Sequence, residues 1–316
     1  MSRIPIAPRD LAERCRAITH RTGIPSEHVM KDFWITEALR AMANAATVDG
    51  IHLVFKGGTS LSKGYRIIHR FSEDIDLLCV VAGGSDAVHA AMRRLHLAVA
   101  DRLGVSANVD AGRSIRGRFR PAKYEFPGQQ LLPGESASVI QVELSTWGGA
   151  IPSEVKLLRS LVAEHSQGAF SRLETDVNDG FAMTVLRPER TLVEKLVILH
   201  DAALSRDERR LRKTARHYYD IWCLLGHQPT LERLTGDVVM VLANEVLVHN
   251  TSTKAQSTHR RPPGGFASSC AFVGSGPAAA RDEYERRVVD RLIWPGAAQP
   301  TFDECLTRVR EFEHLL

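Results

Sequence analysis

Lys56-Gly57-Gly58-Thr59-Ser60-Leu61-Ser62-Lys63, followed shortly by Phe71-Ser72-Glu73-Asp74-Ile75-Asp76-Leu77, is the stretch from which the fold of this chain can be read. The run just before it, Ile51-His52-Leu53-Val54-Phe55, is short and mostly apolar and predicts a strand. Gly57 and Gly58 end that strand, and a helix is expected from Thr59 or Ser60 to Ile68. Glycines let an anion approach the backbone closely. A helix start adds unpaired N–H groups and a partial positive charge, a combination that holds a phosphate. The hydroxyls of Thr59 and Ser60 and the ammonium of Lys63 are near enough in sequence to add hydrogen bonds. Gly57, Gly58, Thr59, Ser60 and Lys63 are therefore the candidate phosphate contacts.

The second half of the stretch predicts a buried strand, Ile75 to Val81, with Asp74 and Asp76 at its start. Alternate strand residues face the same way, so the two carboxylates share a face while Ile75 and Leu77 pack elsewhere. Carboxylates so close repel each other unless a cation lies between them. Mg²⁺ or Mn²⁺ favours carboxylate and phosphate oxygens, which makes an aspartate pair beside a phosphate cradle a natural metal site. Two such ions can activate an attacking oxygen and stabilise a leaving pyrophosphate. Glu143 interrupts the apolar run Val139-Ile140-Gln141-Val142-Glu143-Leu144 and is the candidate third carboxylate, as ligand or base. Its other reading is an edge-strand glutamate facing water.

Outward from this stretch, Pro25 to Met42 reads as a helix, and Ala87 to Leu103 as another. Phe119 to Phe126 and Ser138 to Leu144 read as strands, so strands and helices interleave over about residues 46–150. After Pro152 the chain reads as mainly helical, with helices over Pro188 to Leu204, Arg216 to Leu225 and Leu231 to Val248. Ser252 to Pro277 is rich in Ser, Gly and Pro and reads as a loop, and Arg281 to Leu316 as a charged helical tail.

Composition narrows the class. A chain of 316 residues with 44% hydrophobic and 25% charged residues has room for two domains and a sizeable core. It has no apolar run long enough for a membrane span and no apolar core behind Met1, so a cytoplasmic protein with no membrane partner is expected. Cys15, Cys79, Cys223, Cys270 and Cys305 are odd in number and never in CxxC spacing, which argues against a zinc site and a disulfide framework. A net charge of +4 permits a nucleic-acid partner without requiring one.

Gly57-Gly58-Thr59-Ser60 together with Ser72-Glu73-Asp74-Ile75-Asp76-Leu77 closely resembles the AbiEii/AbiGii toxin family of nucleotidyltransferases. That family lies in the polymerase-beta-like superfamily and includes the mycobacterial MenT toxins. Lys31-Asp32-Phe33-Trp34 is similar to the family's N-terminal helix. Arg187-Pro188-Glu189-Arg190-Thr191-Leu192-Val193-Glu194-Lys195-Leu196 is similar to its third motif, and Arg216-His217-Tyr218-Tyr219-Asp220-Ile221 to its fourth. The resemblance implies a bi-lobed α+β fold. Residues 1–150 would carry the N-terminal helices and a polymerase-beta-like nucleotidyltransferase lobe with a mixed sheet, and residues 151–316 a mainly helical lobe.

The resemblance also implies roles. Asp74 and Asp76 would hold the metal, and Gly57, Gly58, Thr59, Ser60, Lys63 and Lys195 would contact the nucleotide. Asp220 would shape the same site, and Glu143 would join the catalytic set. A buried lysine needs an anion, which fits Lys195 on an otherwise apolar helix; the alternative is a structural Lys195–Asp220 ion pair. The expected substrate is a nucleoside triphosphate lying in the cleft of the fold. The expected acceptor is RNA, by likeness to the MenT toxins the tRNA 3′ end, with inhibition of translation and a cognate antitoxin protein as partner. Nucleotidylation of a protein or small molecule, and an inactive binding module, are the alternatives.

Two further features need an account. Arg206 to His217 concentrates Arg209, Arg210, Arg212, Lys213 and Arg216, an RNA-backbone grip or an ordinary solvated surface. Ser72 stands two residues before Asp74, either a phosphorylation site whose added charge would oppose metal and triphosphate, or simply a turn cap.

Overall fold

A computed structural model describes residues 4, 6–72, 74–128, 131, 139–165, 179–252 and 259–316. The chain falls into two units that are not contiguous in sequence. Unit 1 comprises Met1–Gly64, Ser72–Thr146 and Ser153–Val185; unit 2 comprises Tyr65–Phe71, Trp147–Pro152 and Leu186–Leu316.

Unit 1 opens with α1 (Pro8–Thr22), which has proline in its first turn and ends on left-handed Gly23. It packs on α2 (Ser26–Asp49), a helix apolar on nearly every side that also packs on α4 (Ser85–Leu103). Burying α2 this deeply buries Glu37, and that carboxylate is matched by Arg102 at 2.5 Å and Arg40 at 3.2 Å. Beside these helices lies one seven-stranded mixed sheet with the order β3-β4-β5-β2-β1-β7-β6. Its strands are β1 (His52–Lys56), β2 (Asp74–Val80), β3 (Asn108–Val109), β4 (Phe119–Glu125), β5 (Val139–Ser145), β6 (Ser153–Leu158) and β7 (Phe181–Leu186). β1 runs antiparallel to β2 and parallel to β7, and β2 runs parallel to β5.

The α+β reading with a mixed sheet holds, but the sheet does not end near residue 150. β6 and β7 extend it on the far side of β1, where the sequence suggested mainly helix. β6 sits at the sheet edge with its apolar Val155 and Leu157 67% and 60% exposed, the reverse of the pattern that marks a strand with a buried apolar face. A second correction concerns α3, which spans Gly57–Lys63 rather than reaching Ile68. The backbone breaks soon afterwards, with Arg66 in the left-handed region at φ 55°.

Unit 2 is helical. Its main elements are α5 (Pro188–Ser205), α6 (Glu208–Thr214), α7 (Arg216–Leu225), α8 (Gly236–Ser252) and α9 (Phe302–Glu311). α8 starts five residues later than the predicted Leu231. Tyr218, Phe272, Tyr284 and Phe302 form its aromatic centre, with Tyr218 and Phe302 ring centroids 4.5 Å apart. The excursion Tyr65–Phe71 is fastened here: Arg70 bridges Ile293, and the Phe71 N–H donates to the Leu292 carbonyl at 2.8 Å. Among the described residues no helix is long and apolar enough to cross a membrane.

Candidate active site

In unit 1 the chain leaves β1 in extended form at Lys56 and turns at Gly57, whose φ of +78° lies in the left-handed region. A Cβ on Gly57 would stand 2.2 Å from the Asp76 Oδ2. Only glycine meets both demands, the positive φ and the close carboxylate. The hydroxyls that follow point inward, not toward a ligand. Thr59 Oγ1 donates to the Asp74 carbonyl at 2.5 Å, and Ser60 Oγ to the Gly57 carbonyl at 2.9 Å; both residues are buried. They tie the glycine turn to the strand carrying the aspartates.

Lys63 is tied into the fold. Its ammonium donates to Asp32 Oδ1 at 2.6 Å, Thr36 Oγ1 at 2.7 Å and the Arg159 carbonyl at 3.2 Å. All three N–H groups have protein acceptors, so Lys63 fastens α3 to α2. The Lys31–Trp34 segment thereby gains a function: Asp32 receives both Lys63 and the Leu161 N–H, the latter at 2.7 Å.

Asp74 and Asp76 are both half-buried, while the intervening Ile75 is fully buried. Their alternation sets the carboxylates on one face of β2, as the spacing predicts. The register then lines up a row across the sheet, with Lys56 opposite Asp76 and Asp76 opposite Glu143. Glu143 lies on an interior strand between β2 and β4, so it is not an edge-strand residue. Its Oε1 accepts from Arg113 Nη2 at 2.9 Å and Gln141 Nε2 at 2.8 Å. Among the described residues no group of three or more His, Cys, Asp and Glu side chains gathers as a metal cage. The aspartate pair nevertheless suits Mg²⁺, which binds through one or two carboxylates and completes its shell with water and phosphate. Gly57 itself places no side chain against Asp76.

Unit 2 holds the other charged centre. Leu192, Lys195, Leu196 and Leu199 share the buried side of α5, so helical spacing draws the lysine inward with its apolar neighbours. Its ammonium meets Asp220 Oδ2 at 2.8 Å and His217 Nδ1 at 3.2 Å. Asp220 also receives Arg70 in a two-pronged contact, Nε to Oδ1 at 2.6 Å and Nη2 to Oδ2 at 2.7 Å. Burial works to raise the Asp220 pKa, but Arg70 and Lys195 together overcome it and hold the carboxyl well below its usual range. Burial pushes the Lys195 pKa down, and Arg70 adds to that against the pull of Asp220. Burial and the neighbouring Lys195 bring His217 down to about 3, so it is neutral near pH 7. The Lys195–Asp220 ion pair raised as an alternative from sequence therefore exists. Arg70 and His217 were missed, and their only sequence signal is adjacency to the second motif and membership of the fourth.

The basic segment is divided. Arg209 and Lys213 are exposed on α6, whereas Arg210, Arg212 and Arg216 are half-buried. Arg210 lies 3.9 Å from Asp201, and Arg212 lies 3.8 Å from Glu208 and 3.9 Å from Asp282. Ser72 is half-buried just ahead of β2, and Glu73 lies outside the described residues.

Comparison with known proteins gives three results. The chain resembles MenT4, a nucleotidyltransferase toxin from Mycobacterium tuberculosis H37Rv, with a TM-score of 0.57 at 18% identity over 97% of this chain and 88% of that one. At such identity the likeness speaks for the fold. A search of curated proteins finds no match. The sequence profile described as "Nucleotidyl transferase AbiEii toxin, Type IV TA system" matches residues 39–306. That match runs from within α2 into the last helix, and the chain accordingly belongs to the AbiEii family of nucleotidyltransferase toxins of type IV toxin–antitoxin systems.

Proposed function

We propose that this toxin transfers the nucleoside monophosphate of an NTP to the 3′ end of a tRNA, releases pyrophosphate, and so inhibits translation. The observation that carries the reading is the approach of the Asp76 carboxylate to the side-chain-free Gly57, with Asp74 on the same strand face. Asp74 and Asp76 hold Mg²⁺ or Mn²⁺, and Gly57 admits a phosphate beside them. When bound, the ion neutralises charge on the triphosphate and stabilises the departing pyrophosphate. The acceptor hydroxyl oxygen bonds to the α-phosphorus, the bond from that phosphorus to the β-phosphate's bridging oxygen breaks, and the hydroxyl proton passes to solvent. Glu143, beside Asp76 in the sheet, contributes negative charge that Arg113 tempers. Lys195 supplies positive charge to the triphosphate, and Asp220 orients it. Arg209 and Lys213 contact the RNA backbone from the exposed side of α6. Family membership implies an antitoxin partner, and the cytoplasm is where tRNA and NTP are met together.

The test is incubation of the protein with each α-labelled NTP, Mg²⁺ and total RNA. Label at the tRNA 3′ end, absent with Asp76→Asn, is the expected result. Label on protein or small molecules would move the acceptor to another class. No transfer from any NTP would overturn the enzymatic reading.

A further inference from the structure

Asp220 has no exposed surface, and its carboxylate is shared by two cations, Arg70 and Lys195. His217, 3.5 Å from the same carboxylate, is neutral near pH 7. The remaining Arg70 contact, Nη1 to the Phe71 carbonyl at 2.8 Å, is also neutral. The other ionisable groups acting on the centre are Arg216, which repels Lys195, and Tyr219 and Cys223 beside Arg70. Burial raises the pKa of both, Cys223 to about 12, so neither provides an anion. The centre thus sets two basic side chains, Arg70 and Lys195, against one carboxylate among the described residues. A buried surplus charge is costly unless something neutralises it. Lys195 has two partners there for its three N–H groups, so it retains a donor as well as the surplus.

We propose that Arg70 is a positioning residue for the triphosphate. By gripping both oxygens of Asp220 it neutralises that carboxylate, so that the Lys195 ammonium keeps a net charge with which to recruit a phosphate. The inference rests on the nucleotidyl-transfer reading above. Without Arg70, Lys195 and Asp220 would close on each other as a balanced pair, and the affinity for an anion would fall. The effect is one of charge accounting, so it can be reversed by removing the carboxylate.

The experiment is isothermal titration calorimetry of the full chain with ATP, CTP, GTP and UTP in Mg²⁺, with native packing checked by near-ultraviolet circular dichroism. Arg70→Gln is expected to weaken the preferred NTP at least about tenfold, the scale of one charge-assisted contact. Arg70→Lys keeps the charge and should stay within about threefold of wild type even though the fork is lost. The double variant Arg70→Gln/Asp220→Asn restores the surplus, and the amide oxygen that replaces the carboxylate can still accept from Lys195, so it should bind the NTP more tightly than Arg70→Gln. A purely structural fork predicts the opposite order, with Arg70→Lys impaired and the double variant no better than the single. Unchanged binding in Arg70→Gln, or that opposite order, would overturn the assignment while leaving the nucleotide reading intact. If Arg70→Gln does not fold, the other two variants decide: near-wild-type binding in both supports the proposal, and a tenfold loss in either overturns it. If the wild type binds none of the four NTPs, the nucleotidyl-transfer reading itself fails, and the Arg70 assignment with it.

Discussion

Around Lys63, unit 1 gives one ammonium a carboxylate, a hydroxyl and a carbonyl, whereas around Lys195, unit 2 gives an equally withdrawn ammonium a carboxylate already claimed by an arginine. Both side chains are 4% exposed, so burial alone does not separate them. The partner count does. Lys63 is spent on structure, and Lys195 is left in surplus. The same distinction divides the acids of unit 1. Asp32 is matched by Lys63 and the Leu161 N–H. Asp74 and Asp76 repeat like charge along one strand face, with Glu143 in register beside them. Charge that neighbours balance serves the fold, while acids that intensify one another's charge concentrate it where a cation can be held.

Breaking the comparison at its strongest point means removing charge from the intensified set. Asp74→Asn or Asp76→Asn should cost several kcal/mol of transition-state stabilisation, about 10³-fold in nucleotidyl transfer. Thermal stability should hold or rise, because a repelling charge has gone. Differential scanning calorimetry beside a labelled-NMP assay checks both halves, and a melting point that collapses in step with activity would assign these aspartates to the fold.

The lysines come next. Lys195→Met should weaken NTP binding by roughly 2–4 kcal/mol while Asp220 keeps its Arg70 fork and the protein stays folded. Lys63→Met should do the reverse. It leaves NTP affinity per folded molecule near wild type and lowers unfolding free energy by at most about 3 kcal/mol, since Asp32 retains 22% exposure. Equal effects of the two substitutions in calorimetry and denaturant titration would erase the distinction. It can be sharpened by pH. Because burial, aided by Arg70, lowers the pKa of Lys195, a bound phosphate must raise it again. Near and above that lowered value binding takes up a proton, so affinity is full below it and declines as pH rises through it. Proton uptake measured in buffers of different ionisation enthalpy should therefore be present in wild type and absent in Lys195→Met.

Smaller effects are expected at the surface. Arg209→Ala and Lys213→Ala should each reduce the slope of RNA affinity against salt by about one unit, with Arg212→Ala changing it less because acidic neighbours already face that side chain. An identical slope in all three variants would return α6 to ordinary surface. Ser72→Glu, a partial stand-in for phosphate, should lower NTP affinity by only about threefold, given the half-buried setting of that serine. Ser72→Ala should bind NTP as wild type does, and a loss there would identify the hydroxyl as a turn cap.

How much of this could be read from the residues follows from how local each feature is. The glycine turn and the aspartate pair were legible because strand, turn, helix and strand succeed one another within a short stretch, and a period of two fixes which side chains share a face. Glu143 was legible as an acid breaking an apolar run, but its position beside Asp76 depends on β2 and β5 pairing in parallel. The direction of the Thr59 and Ser60 hydroxyls depends on where β2 lies, and the fate of Lys63 on residues 31 and 96 positions away. No periodicity encodes those meetings. Arg70 and Asp220 are 150 positions apart, so neither announces the other. β6 and β7 were hidden for a different reason: β6 turns Val155 and Leu157 outward at the sheet edge, and β7 is a six-residue strand running straight into a helix.

The interrupted layout of the two units has a consequence during synthesis. Translation delivers Tyr65–Phe71 long before the rest of unit 2 exists. At roughly 5–20 residues per second, Arg70 precedes Asp220 by about 8–30 s, and its backbone partners near Ile293 follow later still. Through that interval the nascent chain carries the glycine turn and both aspartates, yet it lacks the paired cation centre. A polypeptide that stops before residue 195 carries both aspartates without Lys195.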